Sequence, residues 1–421
     1  MSAMTMNARR RRVHAKLAAL PGVRPVRRPV HPGGDDAFDV YYVRTGRKSA
    51  HPLVVIPGGP GAASIALYRT FRKHAALAGL DVIMVEHRGV GLSRHDDSGA
   101  DLPPDALTVD AVVDDIAAVL DDAGVERADV YGASYGSYLA AGIGVRHPGR
   151  VRSMVLDSPL LSADDIIDVR AQVRRVLWDG AAGPGVAAEV RQLVARGGLT
   201  SEGLLLAIGL YELAGPETLR RQLDLLLAGR DRLWKLAETV TKFVTERRTA
   251  FHHEPDLVER IAFRELNYGA VPDGEPLDPA VALRGMATGD ADFVAEPYDL
   301  RSAMPGFTWP TAVISGGRDL TTPAAVARRA VELIPDSVLV ELPTAGHSIL
   351  DIREHAALEI CKVVSAGRIS ELPSRGGELD AMPANLSMRL LVGAIAVAAR
   401  VESAVPGAAP KAVRAGTGQT T

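Results

Sequence analysis

The stretch Val130-Tyr131-Gly132-Ala133-Ser134-Tyr135-Gly136-Ser137 decides how the rest of the chain is interpreted. It joins a run that alternates like a strand to a run that favours a helix. Between the two runs, the pattern G-x-S-x-G forces Ser134 through a sharp turn, which projects its hydroxyl from the edge of a sheet. Gly132 and Gly136 carry no Cβ, so the strand and the helix can approach closely. The stretch therefore predicts a nucleophilic serine, with a plain tight turn as the alternative.

The bulk composition excludes several classes of function. The 421 residues are 47% hydrophobic and 24% charged, which allows a large core with an insertion or a second domain. A net charge of −3 gives no general attraction to nucleic acid or to anionic membranes. The one cysteine, Cys361, rules out a disulfide framework and a Cys-based zinc site, and its apolar neighbours predict that it is buried. No dinucleotide, phosphate-loop or zinc motif is present, so we expect no cofactor and no metal.

The order of apolar runs predicts the fold. Strands and helices alternate over residues 31–160 and again over residues 304–370. This alternation predicts an α/β fold, with a mostly parallel, doubly wound sheet and helices on both faces. Residues 161–303 are mostly helical and predict a cap inserted over the sheet.

The two ends of the chain depart from this pattern. Residues 1–30 are basic, with a run of four arginines from Arg9 to Arg12, and predict a flexible, solvated arm. Residues 371–421 predict a partly disordered extension, with a possible helix over 385–401 and disorder from Pro406. No apolar run is long enough for a secretory signal or a membrane span, which predicts a cytoplasmic protein. The oligomeric state stays open.

A serine hydroxyl needs an adjacent base, usually a histidine that a carboxylate orients. In sheets of this kind the three residues follow the chain order Ser, Asp or Glu, His. Asp319 follows the strand-like run that ends at Ser315, and His347 follows the next one. We therefore predict that Ser134, Asp319 and His347 meet at the carboxyl edge of the sheet; Asp157 is the weaker alternative for the acid.

A negatively charged tetrahedral intermediate needs preorganised donors, commonly backbone N–H groups. The N–H of Tyr135, next to the serine, is one candidate. The loop Pro57-Gly58-Gly59-Pro60-Gly61 follows an earlier buried strand and offers the second, for which we favour Gly59 over Gly58. A simple Gly/Pro turn is the alternative interpretation of this loop.

These motifs together resemble those of α/β-hydrolases of the proline iminopeptidase and tripeptidyl aminopeptidase group. That group carries a His-Gly-Gly-Pro-Gly loop, an Asp-Gln-Arg-Gly-x-Gly-x-Ser segment and a Gly-x-Ser-[Trp/Tyr]-Gly turn. It continues with a Gly-x-Asp-x-x-Thr-Pro loop and a Gly-His pair. The matching residues here are Gly58–Gly61, Arg88–Ser93, Gly132–Gly136, Gly317–Pro323 and Gly346–His347. The resemblance spans about residues 36–160 and 305–365, and Tyr135 is closer to the tripeptidyl branch.

The sequence departs from that group at two places, where Pro57 replaces the loop histidine and Glu86-His87 replaces Asp-Gln. The resemblance implies an aminopeptidase whose cap supplies carboxylates that bind the free amine of the substrate. The candidate acids are Glu212, Glu265 and Glu296, with Asp290 and Asp292 as further possibilities. A solvated surface acid is the plain alternative for each of them.

The leading hypothesis is a serine hydrolase that releases proline or short peptides from the N-terminus of small peptides. A cap-gated carboxylesterase or lactonase with the same three residues is the second hypothesis. A non-catalytic homologue that binds a small molecule is the third. All three imply a small-molecule partner, a peptide or an ester, and none implies nucleic acid.

Overall fold

The computed structural model describes residues 6–246, 249–287, 289 and 292–404. Within these ranges the chain forms one eight-stranded sheet. Its strands are β1 (Val23–Pro29), β2 (Ala37–Thr45), β3 (Leu53–Ile56), β4 (Val82–Val85), β5 (Ala128–Ala133), β6 (Val151–Asp157), β7 (Thr311–Gly316) and β8 (Ser337–Leu342). The order across the sheet is β1-β2-β4-β3-β5-β6-β7-β8. The pairs β1–β2 and β2–β4 are antiparallel, and every later pair is parallel.

Helices connect and cover these strands. The first group is α1 (Ala8–Ala18), α2 (Ser64–Leu67), α3 (Arg69–Leu77), α4 (Val109–Asp122) and α5 (Tyr135–Arg146). Between β6 and β7 lie α6 (Asp165–Leu177), α7 (Pro184–Ala195), α8 (Ser201–Ala214), α9 (Pro216–Leu227), α10 (Arg232–Glu246), α11 (Pro255–Arg264), α12 (Pro279–Met286) and α13 (Leu300–Ala303). The last group is α14 (Ala324–Leu333), α15 (Ile349–Ile352), α16 (Glu354–Ser365), α17 (Gly376–Asp380) and α18 (Leu386–Ala404).

The parallel strands are buried on both faces, as continuous apolar runs predict. Every residue of β3, β5 and β7 is buried. Alternate side chains of β3 enter different apolar clusters: Val54 and Ile56 lie in one, and Leu53 and Val55 lie in the other. Successive side chains of a strand point to opposite faces, so the sheet is doubly wound and the expected fold class is confirmed.

The helices between β6 and β7 form the segment that the sequence assigns to a cap. They bury an apolar cluster of their own, which includes Val173, Val190 and Leu219. The described part of residues 161–303 contains no strand. Its role as a cap stays a prediction.

The prediction of a flexible arm over residues 1–30 is wrong for residues 8–29. Helix α1 packs against the domain and buries Arg10, while β1 pairs along its length with β2. The arginines of β1 also have carboxylate partners, since Arg28 donates to Asp115 at 2.8 Å and Arg27 to Asp97. Backbone pairing and ion pairs order a segment whose charge suggested solvation.

The C-terminal region is helical up to residue 404. Helix α18 lies against helices of the β6–β7 segment, where Glu402 accepts hydrogen bonds from the amides of Arg232 and Leu233. The disorder expected from Pro406 falls outside the described residues.

Cys361 is buried in α16, as expected. In the described ranges, no helix combines the length and apolar character needed to cross a membrane.

The junction between β5 and α5 requires glycine at Gly132. A Cβ there would lie 2.1 Å from the carbonyl oxygen of Gly136 and 2.8 Å from Cα of Ser137, and neither backbone atom can rotate away. We expect Gly132→Ala to lower the free energy of unfolding by about 3 kcal/mol, the upper range for overpacking. Gly209→Ala is the matched control, because its Cβ meets nothing within 4 Å on α8.

The control should raise stability by up to about 1 kcal/mol, since alanine favours a helix over glycine. Urea or thermal unfolding followed by circular dichroism measures both variants. Equal stability of Gly132→Ala and the wild type would contradict the steric account of this junction.

Candidate active site

Ser134 stands at the turn between β5 and α5, with φ 51° and ψ −122°. A non-glycine residue with positive φ carries backbone strain, which the surroundings must offset. The Ser134 amide donates to the carbonyl of Asp157 at 2.8 Å, which ties the turn to β6. Gly136 lets α5 approach, because a Cβ there would lie 2.2 Å from the carbonyl oxygen of Ile56. The turn is therefore held from both sides, and the serine is nearly buried at 9% exposure.

The structure brings Ser134, His347 and Asp319 together. His347 Nε2 lies 2.8 Å from Ser134 Oγ, and His347 Nδ1 lies 3.0 Å from Asp319 Oδ2. Asp319 follows β7 and His347 follows β8, so both reach the same edge of the sheet as the serine. The side chains thus form one continuous line of hydrogen bonds from carboxylate to alcohol.

Three further donors hold the Asp319 carboxylate. The amides of Thr321 and Thr322 donate to Oδ1 at 3.0 and 2.7 Å. The hydroxyl of Thr322 donates to Oδ2 at 2.9 Å and also lies 3.3 Å from His347 Nδ1. Thr322 is a functional residue that the sequence did not predict, although the Asp-x-x-Thr spacing is a signal for it.

Charge pairing sets the pKa values of the two titratable groups. Burial alone would lower the pKa of His347, but the charge and hydrogen bond of Asp319 outweigh it and raise that pKa above its usual value. Burial alone would raise the pKa of Asp319, but the His347 ring and the donors from Thr322 lower it. The pair thus favours an ionised carboxylate beside the imidazole.

Asp157, the alternative acid, has other partners. Its carboxylate accepts from the hydroxyl of Tyr131 at 2.8 Å and from the amides of Ile349 and Leu350 at 3.3 and 3.1 Å. It makes no hydrogen bond to His347 within the described residues. Burial raises the pKa of Asp157 to about 6. Asp157 anchors the start of α15, directly after the histidine loop.

Glu212 accepts hydrogen bonds from the loop that carries Asp319. Its Oε1 accepts from the amides of Leu320 and Thr321 at 2.7 and 2.9 Å, and from the Thr321 hydroxyl at 2.9 Å. Burial, followed by the charge of Asp319, raises the pKa of Glu212 to about 7. Glu212 thus supports the loop of Asp319, and its predicted role in substrate binding stays a prediction.

Glu296 is also engaged, since its Oε1 accepts a short hydrogen bond from the amide of Ala163. Asp292 is exposed and lies beside Arg284. Asp290 falls outside the described residues. These contacts of Glu296 and Asp292 do not place either acid beside Ser134.

Glu265 is the predicted amine-binding acid whose surroundings fit that role best. Its Oε2 accepts from the amide of Val109 at 3.0 Å, and its charge acts on the hydroxyl of Tyr135, next to the serine. Burial raises the pKa of Glu265 to about 6. The Tyr135 hydroxyl lies 3.0 Å from His87 Nε2, and burial lowers the pKa of His87 to about 4, so that ring is neutral.

The Gly/Pro loop lies directly over the serine. A Cβ on Gly58 would lie 3.2 Å from Ser134 Cβ and 3.8 Å from its Oγ. Gly59 has φ +127°, which favours glycine. Among the described residues, the amides of Gly59 and Tyr135 donate to no protein acceptor. Unengaged backbone N–H groups of this kind can receive a negative oxygen.

No group of three or more His, Cys, Asp or Glu side chains in the described ranges could hold a metal ion. The site of Ser134, His347 and Asp319 is built from side chains and backbone amides. It can activate an alcohol, move a proton and stabilise an oxyanion.

Comparison with known proteins agrees with the fold. A model of the alpha/beta hydrolase fold matches residues 51–255. A probable proline iminopeptidase of Streptomyces coelicolor is 33% identical over 122 residues, or 29% of this chain and 36% of that protein. A 2-hydroxymuconate semialdehyde hydrolase of Pseudomonas sp. strain CF600 is 36% identical over 107 residues, or 25% of this chain and 35% of that protein.

A solved proline iminopeptidase of Mycobacterium smegmatis aligns with 85% of this chain and 98% of its own length, at 21% identity and a TM-score of 0.46. The sequence matches span about a third of the length of the curated relatives. The fold and the matched model define the class: the chain has the alpha/beta hydrolase fold. Within it, the chain is similar to the proline iminopeptidases.

The charge pair predicts how His347 titrates. We expect Asp319→Asn to lower the pKa of His347 by about 1 to 3 pH units, because the nearby opposite charge is removed. Asp157→Asn should lower it less, since Asp157 acts without a hydrogen bond to the ring. Titration of the histidine ring signals by NMR measures both. A larger decrease in Asp157→Asn would assign the orienting acid to Asp157.

Proposed function

We propose that the protein is a serine hydrolase in which Ser134, His347 and Asp319 form the catalytic triad. Ser134 Oγ attacks the carbonyl carbon of the substrate while its proton passes to His347 Nε2, which lies at 2.8 Å. Asp319 orients the imidazole and stabilises its positive charge. This proton path is the single observation that carries the proposal.

The rest of the reaction follows from the same groups. His347 gives the proton to the leaving nitrogen or oxygen, the C–N or C–O bond breaks, and an acyl group remains on Ser134. A water molecule then attacks the acyl carbon, with His347 as the base, and Ser134 recovers its proton. The amides of Gly59 and Tyr135 hold the oxyanion in both halves of the reaction.

We further propose that the substrate is a short peptide whose N-terminal amide is cleaved. The joint motif set and the relatives named as proline iminopeptidases support this substrate class. The aligned part is about a third of those relatives, so their activity is carried over here as a proposal only. The cytoplasmic location expected from the sequence likewise stays a prediction.

Glu265 is the carboxylate that we assign to the free amine of such a substrate. One of its oxygens is engaged by Val109, and the other has no hydrogen-bond partner among the described residues. Its charge acts on the hydroxyl of Tyr135, the residue that follows the serine. A carboxylate in that neighbourhood favours an ammonium group beside the scissile bond.

A cap-gated carboxylesterase or lactonase is the second candidate. All three expected amine-binding acids, Glu212, Glu265 and Glu296, accept hydrogen bonds from backbone amides, which favours this candidate. An ester substrate needs no amine site and would use the same triad.

The nucleophile is tested by active-site labelling. We expect a fluorophosphonate to label Ser134, with fluoride as the leaving group, and Ser134→Ala to remain unlabelled. Turnover of chromogenic amides or esters should fall by about 10⁴-fold or more in that variant. A folded wild-type protein that takes up no label would favour the non-catalytic, small-molecule-binding role.

The amine site is tested with paired substrates. We expect Glu265→Gln to raise KM for proline or tripeptide anilides with a free amine, and to leave N-acetylated anilides and aryl esters unchanged. Burial raises the pKa of Glu265 to about 6, so the wild type should lose affinity for the free-amine substrate as the pH falls below 6. Glu296→Gln is the matched control. Ester turnover without amide turnover would support the second candidate.

A further inference from the structure

The Gly/Pro loop over Ser134 is held by a segment that enters from the β6–β7 helices. We call His252–Pro255 the clamp segment. The amide of Glu254 donates to the carbonyl of Gly61 at 2.9 Å, and the amide of Ala63 donates to the carbonyl of His252 at 2.9 Å. These bonds form a short antiparallel pair directly after the loop. A Cβ on Gly61 would lie 2.8 Å from Pro255, so the contact is close.

The clamp segment is in turn held by helix α1. The Glu254 side chain is fully buried, and its carboxylate accepts from both terminal nitrogens of Arg10, at 3.0 Å for Nη2 and Oε2. Arg10 Nη2 also donates to the carbonyl of Gly91 at 2.9 Å, and the Gly91 amide donates to Glu254 at 2.7 Å. Arg10, Glu254 and Gly91 thus close a small ring of hydrogen bonds.

Arg10 is distinguished from its neighbours in the arginine run. It is 7% exposed, whereas Arg9, Arg11 and Arg12 are exposed. Its guanidinium carbon lies 4.4 Å from the centre of the Phe251 ring, just before the clamp segment. Contacts with buried groups, and not solvation, thus fix the position of the Arg10 side chain.

We propose that Arg10 is a positioning residue that fixes the oxyanion loop of the hydrolase through Glu254. The path runs from α1 to the Arg10–Glu254 pair, through the clamp segment, to the loop that carries Gly59. This inference rests on the proposed function, since it presumes that the loop binds the oxyanion.

The path predicts an effect on the transition state. Removing Arg10 takes two charge-assisted hydrogen bonds from the buried Glu254 carboxylate, so the surrounding backbone must move or admit water. The clamp segment is bonded to Gly61, two residues from Gly59. A small displacement of an oxyanion donor lowers the rate of reaction without removing ground-state contacts. The effect should therefore fall on kcat rather than on KM.

The test compares Arg10→Ala with Arg11→Ala, which removes an exposed arginine from the same helix. Fluorophosphonate titration first counts competent sites, so that each rate refers to folded protein. Aryl ester turnover and the Ki of a trifluoromethyl ketone are then measured. The ketone adds reversibly to Ser134 Oγ and places its oxyanion in the loop.

We expect Arg10→Ala to lower kcat about 10-fold or more with KM within about twofold, and to weaken the ketone by a similar factor. Arg11→Ala should match the wild type. Glu254→Gln should reproduce the loss, and the double variant should be no worse than either single variant. If Arg10→Ala does not fold, Arg10→Gln carries the same comparison, because it keeps length and a donor without the charge.

Equal kcat and ketone Ki in the Arg10 and Arg11 variants would overturn the inference. Additive losses in the double variant would also overturn it, because they would mean that Arg10 and Glu254 act separately. A wild type that is neither labelled nor active would instead overturn the proposed function, and this outcome is seen before any variant is compared.

Discussion

The backbone of Ser134, a non-glycine residue with φ of 51°, is the constraint on which the described site depends. Such a conformation persists only where the surroundings determine it. Here β6 accepts the serine amide, and two glycines remove the side chains that would keep α5 from the sheet. The central strands are buried on both faces, so the sheet cannot shift to relieve the turn. The packed core thus fixes the position of the Ser134 hydroxyl.

The neighbouring loops are held by donors and acceptors that do not belong to the triad. Asp157 receives the first amides of α15 beneath the histidine, while Glu212 receives those of the loop that carries Asp319. Both acids have pKa values raised mainly by burial, which is the cost of placing a carboxylate there. Asp157 supports the segment that follows His347, and Glu212 supports the loop of Asp319. The geometry of Ser134, His347 and Asp319 therefore depends on a wider set of buried polar groups.

Sequence reasoning predicted what short-range patterns encode. The apolar runs gave the strands that converge, and the motifs after β5, β7 and β8 gave the three residues that meet. It failed where a contact joins distant parts of the chain. The charge of residues 1–30 predicted solvation, because periodicity cannot report that Arg10 has a buried partner at Glu254. For the same reason it could not distinguish Glu212, which faces a loop, from Glu265, which lies near Tyr135.

The groups proposed for the chemistry and the groups proposed for substrate selection lie in different parts of the chain. The groups able to activate an alcohol lie on loops at one edge of the sheet, where parallel strands end together. The acids proposed to select a substrate come from the β6–β7 segment, which also reaches the Gly/Pro loop through Glu254. A change in that segment can alter both recognition and the oxyanion donors. Under the proposed function, recognition of the amine and the strength of the oxyanion site therefore need not vary independently.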